Sequence, residues 1–185
     1  TWGAHGASNG AVGDDRLGWS TSNDAARPHD ITKQGNEYLS VPYHDEGKTF
    51  IDIAAGDNFS MALAQGREGD DKTYLYTFGA NDRGQLGKGG GSSEHRAYEI
   101  SDLFQLGDEE QIVGITASGK SAAAWTNYGS LYVWGDNANG RLGAVGDAML
   151  SAPTRVPNVN NVDDAVLGIV NYAHTTTGRV VTWGG

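Results

Sequence analysis

Residues 53–63, IAAGDNFSMAL, run as a short apolar stretch, a Gly-Asp-Asn break and a second apolar stretch. Residues 115–125, ITASGKSAAAW, repeat that layout, and VLGIVNYAH at 166–174 is a weaker relative. Apolar runs this short, bounded by turn-forming residues, are the signature of a β-hairpin. Each hairpin is followed by a further turn, REGDDK at 67–72, TNYG at 126–129 or TTTG at 175–178. Then comes TYLYTFG, SLYVWG or RVVTWG, whose β-branched and aromatic side chains favour a pleated, half-buried strand. The pattern predicts strands that carry the aromatic-glycine pairs at 75–79, 131–135 and 180–184. A fourth, outer strand is predicted around RPHDI (27–31), RAYEI (96–100) and APTRV (152–156), where an early proline suits a sheet edge.

The units are copies of one another. LYTFGANDRGQLG at 75–87 and LYVWGDNANGRLG at 131–143 agree at seven positions and set Phe78 against Trp134. Aromatic-glycine pairs stand at 2, 78, 134 and 183, so three units span the chain, at about 1–78, 79–134 and 135–185. Four strands in about 40–50 residues is the content of one propeller blade, which predicts an all-β chain of β-propeller blades. Phe78, Trp134 and Trp183 recur in register on one strand. Packing between blades demands such recurrence, so these rings are expected in the core.

These blocks resemble the RCC1 repeat, shared by regulators of chromosome condensation and, in shorter form, by secreted β-lactamase inhibitor proteins of the BLIP-II kind. The family runs an apolar strand into Ala-Gly-Gly, a turn, His-Ser-Leu-Ala-Leu, and then Trp-Gly-x-Asn-x-x-Gly-x-Leu-Gly. Here IAAGDNFSMAL with FGANDRGQLG follows the pattern, and VWGDNANGRLG follows its second half fully. Phe59 or Ser121 replaces the usual histidine, the last unit lacks the glycines before its turn, and the linkers at 14–48 and 88–111 are long. Three blades fall short of the four to eight that close a ring. The expectation is therefore an excerpt of a longer protein or a processed product, or a dimer of half-rings that self-associates to complete the circle.

Composition restricts the setting. A formal charge of -10 and a pI near 4.7 argue against a phosphate-backbone partner, which needs clustered Lys and Arg. No nucleic acid is expected. Zero cysteine removes disulfides, thiolate zinc sites and a cysteine nucleophile. No apolar stretch approaches the ~20 residues of a membrane span, so membrane insertion is not expected. The acidic, cysteine-free composition leans toward an extracellular or cell-surface protein, with a cytoplasmic or nuclear one as the alternative.

Catalytic chemistry is not indicated. The five histidines, His5, His29, His44, His95 and His174, fall in separate segments without ligand spacing. GQLGKGGG at 84–91 fails the phosphate-loop pattern, because Asp82 stands where the first glycine is needed and Gly89 replaces the Ser or Thr. DNANG at 136–140 resembles the start of a calcium loop, but Ala138 and Gly140 would have to supply ligands, so a structural turn is expected. No cofactor, metal or catalytic residue is assigned.

Where repeats agree they build scaffold, so function is expected where they differ, in loops on one ring face. The first hairpin turn changes from Asp57-Asn58-Phe59 to Gly119-Lys120-Ser121 to Asn171-Tyr172. The resemblance implies that this turn lies on the partner-gripping face. Phe59 and Tyr172 are then the expected aromatic anchors, and Lys120 the residue that steers an acidic patch. The 14–48 insertion, with Trp19, Tyr38 and Tyr43, is a second candidate surface. The function expected is non-enzymatic protein–protein binding, as an extracellular adhesin, inhibitor or scaffold. A guanine-nucleotide exchange factor for a small GTPase is the alternative.

Overall fold

The computed structural model describes residues 47–184. The predicted strand at 27–31 and nearly all of the 14–48 insertion lie outside the described residues. Those residues form three antiparallel sheets. The first is β1 (Thr49–Ala55), β2 (Phe59–Gln65), β3 (Thr73–Gly79) and β4 (Glu94–Glu99), paired in that order. The second repeats the order with β5 (Ile112–Ser118), β6 (Ser121–Thr126), β7 (Leu131–Asp136) and β8 (Met149–Arg155). The third has β9 (Val162–Val166), β10 (Val170–Thr175) and β11 (Val180–Gly184). These are blades of a propeller: β1 packs beside β5 and β5 beside β9, so first strands adjoin along the inner edge.

The three aromatic-glycine segments are β3, β7 and β11, and their registers coincide. Phe78 pairs with Ser60, Trp134 with Ala122 and Trp183 with Asn171. The outer strands expected near 96–100 and 152–156 are β4 and β8, each displaced two or three residues toward the N-terminus at its start. Sheets and sequence units differ in phase: a sequence unit ends on its aromatic-glycine strand, whereas a four-stranded sheet ends one strand later.

Alternation with period two sorts the side chains. Phe59, Met61 and Leu63 on β2 are buried with Leu75 on β3. Ala123, Trp125 and Leu131 occupy the registers of Met61, Leu63 and Leu75 in the second blade and are buried too. The second blade is covered on both faces, and the small side chains of Ala122, Ala123 and Ala124 let its neighbours approach closely. In the third blade the corresponding Tyr172 and Val180 are 47% and 66% exposed.

The recurring loop after the aromatic-glycine strand is held by its asparagine. Asn81 Oδ1 accepts the Leu86 N–H at 3.0 Å, and Asn137 Oδ1 accepts that of Leu142 at 3.0 Å. The Asn137 amide also donates to the Asp147 carbonyl at 3.0 Å, so both of its polar groups serve the turn. Leu86 and Leu142 are thereby driven into the core. A short 3-10 turn at Ser101–Phe104 sets the Phe104 ring edge-on to Trp134, with centroids 5.5 Å apart and planes at 88°.

At the opposite end of the second sheet, the Thr126 hydroxyl donates to Glu110 Oε1 at 2.6 Å and the Gly107 N–H to Oε2 at 3.3 Å. Burial raises the Glu110 pKa, but hydrogen bonds from Thr126, Gly107 and Ser130 outweigh it and hold the carboxyl below the ordinary 4.5. A depressed folded pKa contributes stability above the unfolded value, and that stability is lost as pH falls through the folded value. Glu110→Gln is therefore expected to lower the melting temperature at neutral pH, with the gap to wild type closing below about pH 4. A gap unchanged down to about pH 2 would exclude this role.

Candidate functional site: a cleft between two hairpin turns

Gly119 and Lys120 form a two-residue turn between the paired Ser118 and Ser121. Gly119 has a φ of +56° and Lys120 does not share the positive region, the pattern of a type II′ turn that favours glycine first. The Asp57 N–H donates to the Gly119 carbonyl at 2.8 Å, fastening the first blade's turn to the second's. A second tie crosses the same blades, where Lys120 Nζ meets Asp82 Oδ2 at 2.5 Å. The Lys120 ammonium, followed by the Gln85 amide, holds the Asp82 carboxyl below its ordinary pKa.

The third hairpin is one residue shorter. Val166 and Tyr172 pair across residues 167–171, five in number, whereas the equivalent Thr116 and Ala123 pair across 117–122, six in number. Asn171 makes up the difference: its Oδ1 accepts the Gly168 N–H at 3.1 Å. Its Nδ2 donates to the Arg141 carbonyl at 2.7 Å. In the preceding repeat the matching carbonyl, that of Gln85, accepts the indole N–H of Trp134 at 2.9 Å. Asn171 has taken that acceptor, and the buried indole N–H of Trp183 has no hydrogen-bond partner among the described residues.

Between these turns opens a cleft of about 190 Å³. Leu142, Leu167 and Ile169 supply its apolar lining, and Ser118, Lys120, Ser121, Arg141 and Asn171 its polar lining. Ile169 stands at the lip, 90% exposed. Arg141 Nη1 lies 3.3 Å from Asp136 Oδ2, and its Nε donates to the Ala138 carbonyl at 3.3 Å.

Three of the seven expected binding residues, Lys120, Ser121 and Asn171, therefore share one cleft, with Asp57 bonded beside it. Of these three, only Lys120 offers a substantially exposed polar group. Ser121 is buried, with its hydroxyl donating to the Asp136 carbonyl at 3.0 Å, and Asn171 is spent on the backbone bonds above. Asn58 is half-buried, and its carbonyl accepts the Ala80 N–H at 2.7 Å.

Of the two expected aromatic anchors, Phe59 is corrected, and Tyr172 lies outside the cleft. Phe59 is the first core residue of β2 rather than a turn residue, and at 1% exposure it cannot reach a partner. Tyr172 is exposed, but it lies beyond the turn and on the sheet face opposite Asn171 and Ala173, away from the cleft. The deletion in the third hairpin explains the slip: Gly168-Ile169 there stand where Gly119-Lys120 stand in the second. The sequence reading also missed Ile169, Leu167 and Arg141, although Leu-Gly-Ile aligned on Ser-Gly-Lys through its glycine exposes the first two.

The comparisons agree with this geometry. Residues 128–170 match the regulator of chromosome condensation (RCC1) repeat. The mouse E3 ubiquitin-protein ligase HERC2 is 30% identical over 98% of this chain, and the human X-linked retinitis pigmentosa GTPase regulator is 29% identical over 56%. The chain spans only 4% and 9% of those two proteins. Among solved structures, Prp20p of Saccharomyces cerevisiae superposes on all of this chain and 40% of its own, with a TM-score of 0.72 at 22% identity. That likeness carries the fold. Its sheets, its asparagine-held loops and the matched segment place this chain in the RCC1-like repeat family of β-propellers.

Proposed function

We propose that the chain is a non-enzymatic protein-interaction module that docks its partner on the ring face carrying the hairpin turns. The observation behind this reading is the cleft between the second and third turns, with Ile169 protruding at its lip beside two cations. An apolar side chain 90% exposed beside a cleft is available for burial on binding. The recurring aromatic and asparagine positions are taken up by packing and turn bonds. That leaves the non-recurring turn residues for recognition. The structure of Prp20p is described with its binding properties to Gsp1p and histones, which supports protein binding as a use of this fold.

Regulation of a small GTPase is the second reading, favoured by the name of the human GTPase regulator among the relatives. One experiment serves both. A photo-crosslinking residue is placed at Ile169, and another at Tyr128, which is 60% exposed at the opposite end of the second sheet. Partner adducts are expected from position 169 and not from 128; equal labelling would overturn the docking face. A GTPase in the adduct whose nucleotide release the chain accelerates would favour the second reading.

A further inference from the structure

We infer that the cleft is a carboxylate subsite: it takes one Asp or Glu side chain of the partner, with an adjacent aliphatic side chain resting on Leu167 and Ile169. This rests on the docking face proposed above. Lys120 and Arg141 come from different loops and both line the cleft. Each is held by an aspartate that is not among the cleft's lining residues, Asp82 at 2.5 Å and Asp136 at 3.3 Å. Neither is used up. The ammonium of Lys120 has three N–H donors and gives one to Asp82, while Arg141 engages Nε and Nη1 and, among the described residues, gives Nη2 no partner. Two cations with donors to spare, lining one cleft, suit a planar carboxylate.

Charge count selects the monoanion. Asp82 and Asp136 already balance the formal charge of the two cations, so a dianionic phosphate would add two uncompensated charges beside two carboxylates. A single carboxylate adds less repulsion. The apolar wall selects further, because Leu142, Leu167 and Ile169 give a methyl-rich surface with nothing for a second charged group to bond. The formal charge of -10 repels an acidic surface at a distance. The fitting partner is therefore a neutral or basic surface that presents one acidic residue next to an aliphatic one.

The test titrates the full chain with N-acetyl-Glu-Leu-amide and, separately, its Gln-Leu isostere, following backbone amide signals. Saturable shifts of Gly119, Lys120, Gly168 and Ile169 are expected with the Glu peptide, at least about tenfold weaker with the Gln peptide. Lys120→Met with Arg141→Met is expected to abolish them while the amide signals outside the two turns keep their positions, showing that the fold is retained. Equal affinity for both peptides, no shifts with either, or binding that survives the double substitution overturns the subsite. Inorganic phosphate shifting the same amides at lower concentration than the Glu peptide also overturns it. The docking face fails separately: if the unsubstituted cleft shows no preference for the Glu peptide while the crosslink from position 169 still forms, only the carboxylate assignment is lost. Should that crosslink never form, the docking face itself is lost.

Discussion

Truncating Trp134 to alanine is expected to lower the free energy of unfolding by about 3–5 kcal/mol, read by chemical denaturation. The indole is fully buried, packs edge-on against Phe104 and gives its N–H to the Gln85 carbonyl. Removing it empties a cavity and strands that carbonyl, and both effects act in the same direction. The ring also rests on Gly87, where an added Cβ would come within 2.9 Å of it, so the site was shaped around the indole and cannot easily collapse. A loss below about 1 kcal/mol would show that the ring is not in the core. Trp183→Ala is expected to cost less, because that ring is only half-buried and its N–H has no partner among the described residues.

Gly135→Ala is expected to cost about 2–4 kcal/mol, from a strained backbone added to a steric overlap. Gly135 has a φ of +101°, and a methyl group on it would overlap the Lys120 carbonyl oxygen and come within 2.9 Å of Ser121 Cα. Because that backbone supports the Gly119-Lys120 turn, the amide signals of the turn should shift together with the loss of stability. Gly140→Ala is the control. Its φ of +71° is also positive, but nothing lies within 4 Å of the new Cβ, so about 1 kcal/mol is expected. Equal costs at the two positions would mean that the overlap at Gly135 is relieved without penalty.

The strands were legible because burial on alternate sides of a pleat writes itself as period two, and because the unit is copied. Phe59, Met61 and Leu63 show that period plainly. Phe59 was assigned to a turn only because Gly-Asp-Asn precedes it, although the alternation already placed it in the core. The third turn was obscured for a different reason. A one-residue deletion leaves strand alternation intact on both sides yet changes which residues share a turn, and the bonds that absorb it come from the Asn171 side chain. Arg141 was hidden inside the repeated loop itself, at a variable position that faces outward while its neighbour Leu142 turns inward. A motif labelled scaffold as a whole can carry recognition at one of its letters.

The seats beneath Trp134 and Trp183 come from the blade before each: Gly87 and the Gln85 carbonyl for Trp134, Gly143 for Trp183. Such an interface is heterologous, joining the head of one unit to the tail of the next, so the array has a polarity that a symmetric pairing of sheets would lack. Such an array can be lengthened or shortened in whole steps, since Gly87 and Gly143 offer the following blade the same glycine seat. Damage also travels one way. A bulky residue at position 143 would leave its own blade's tryptophan in place and unseat the one that follows.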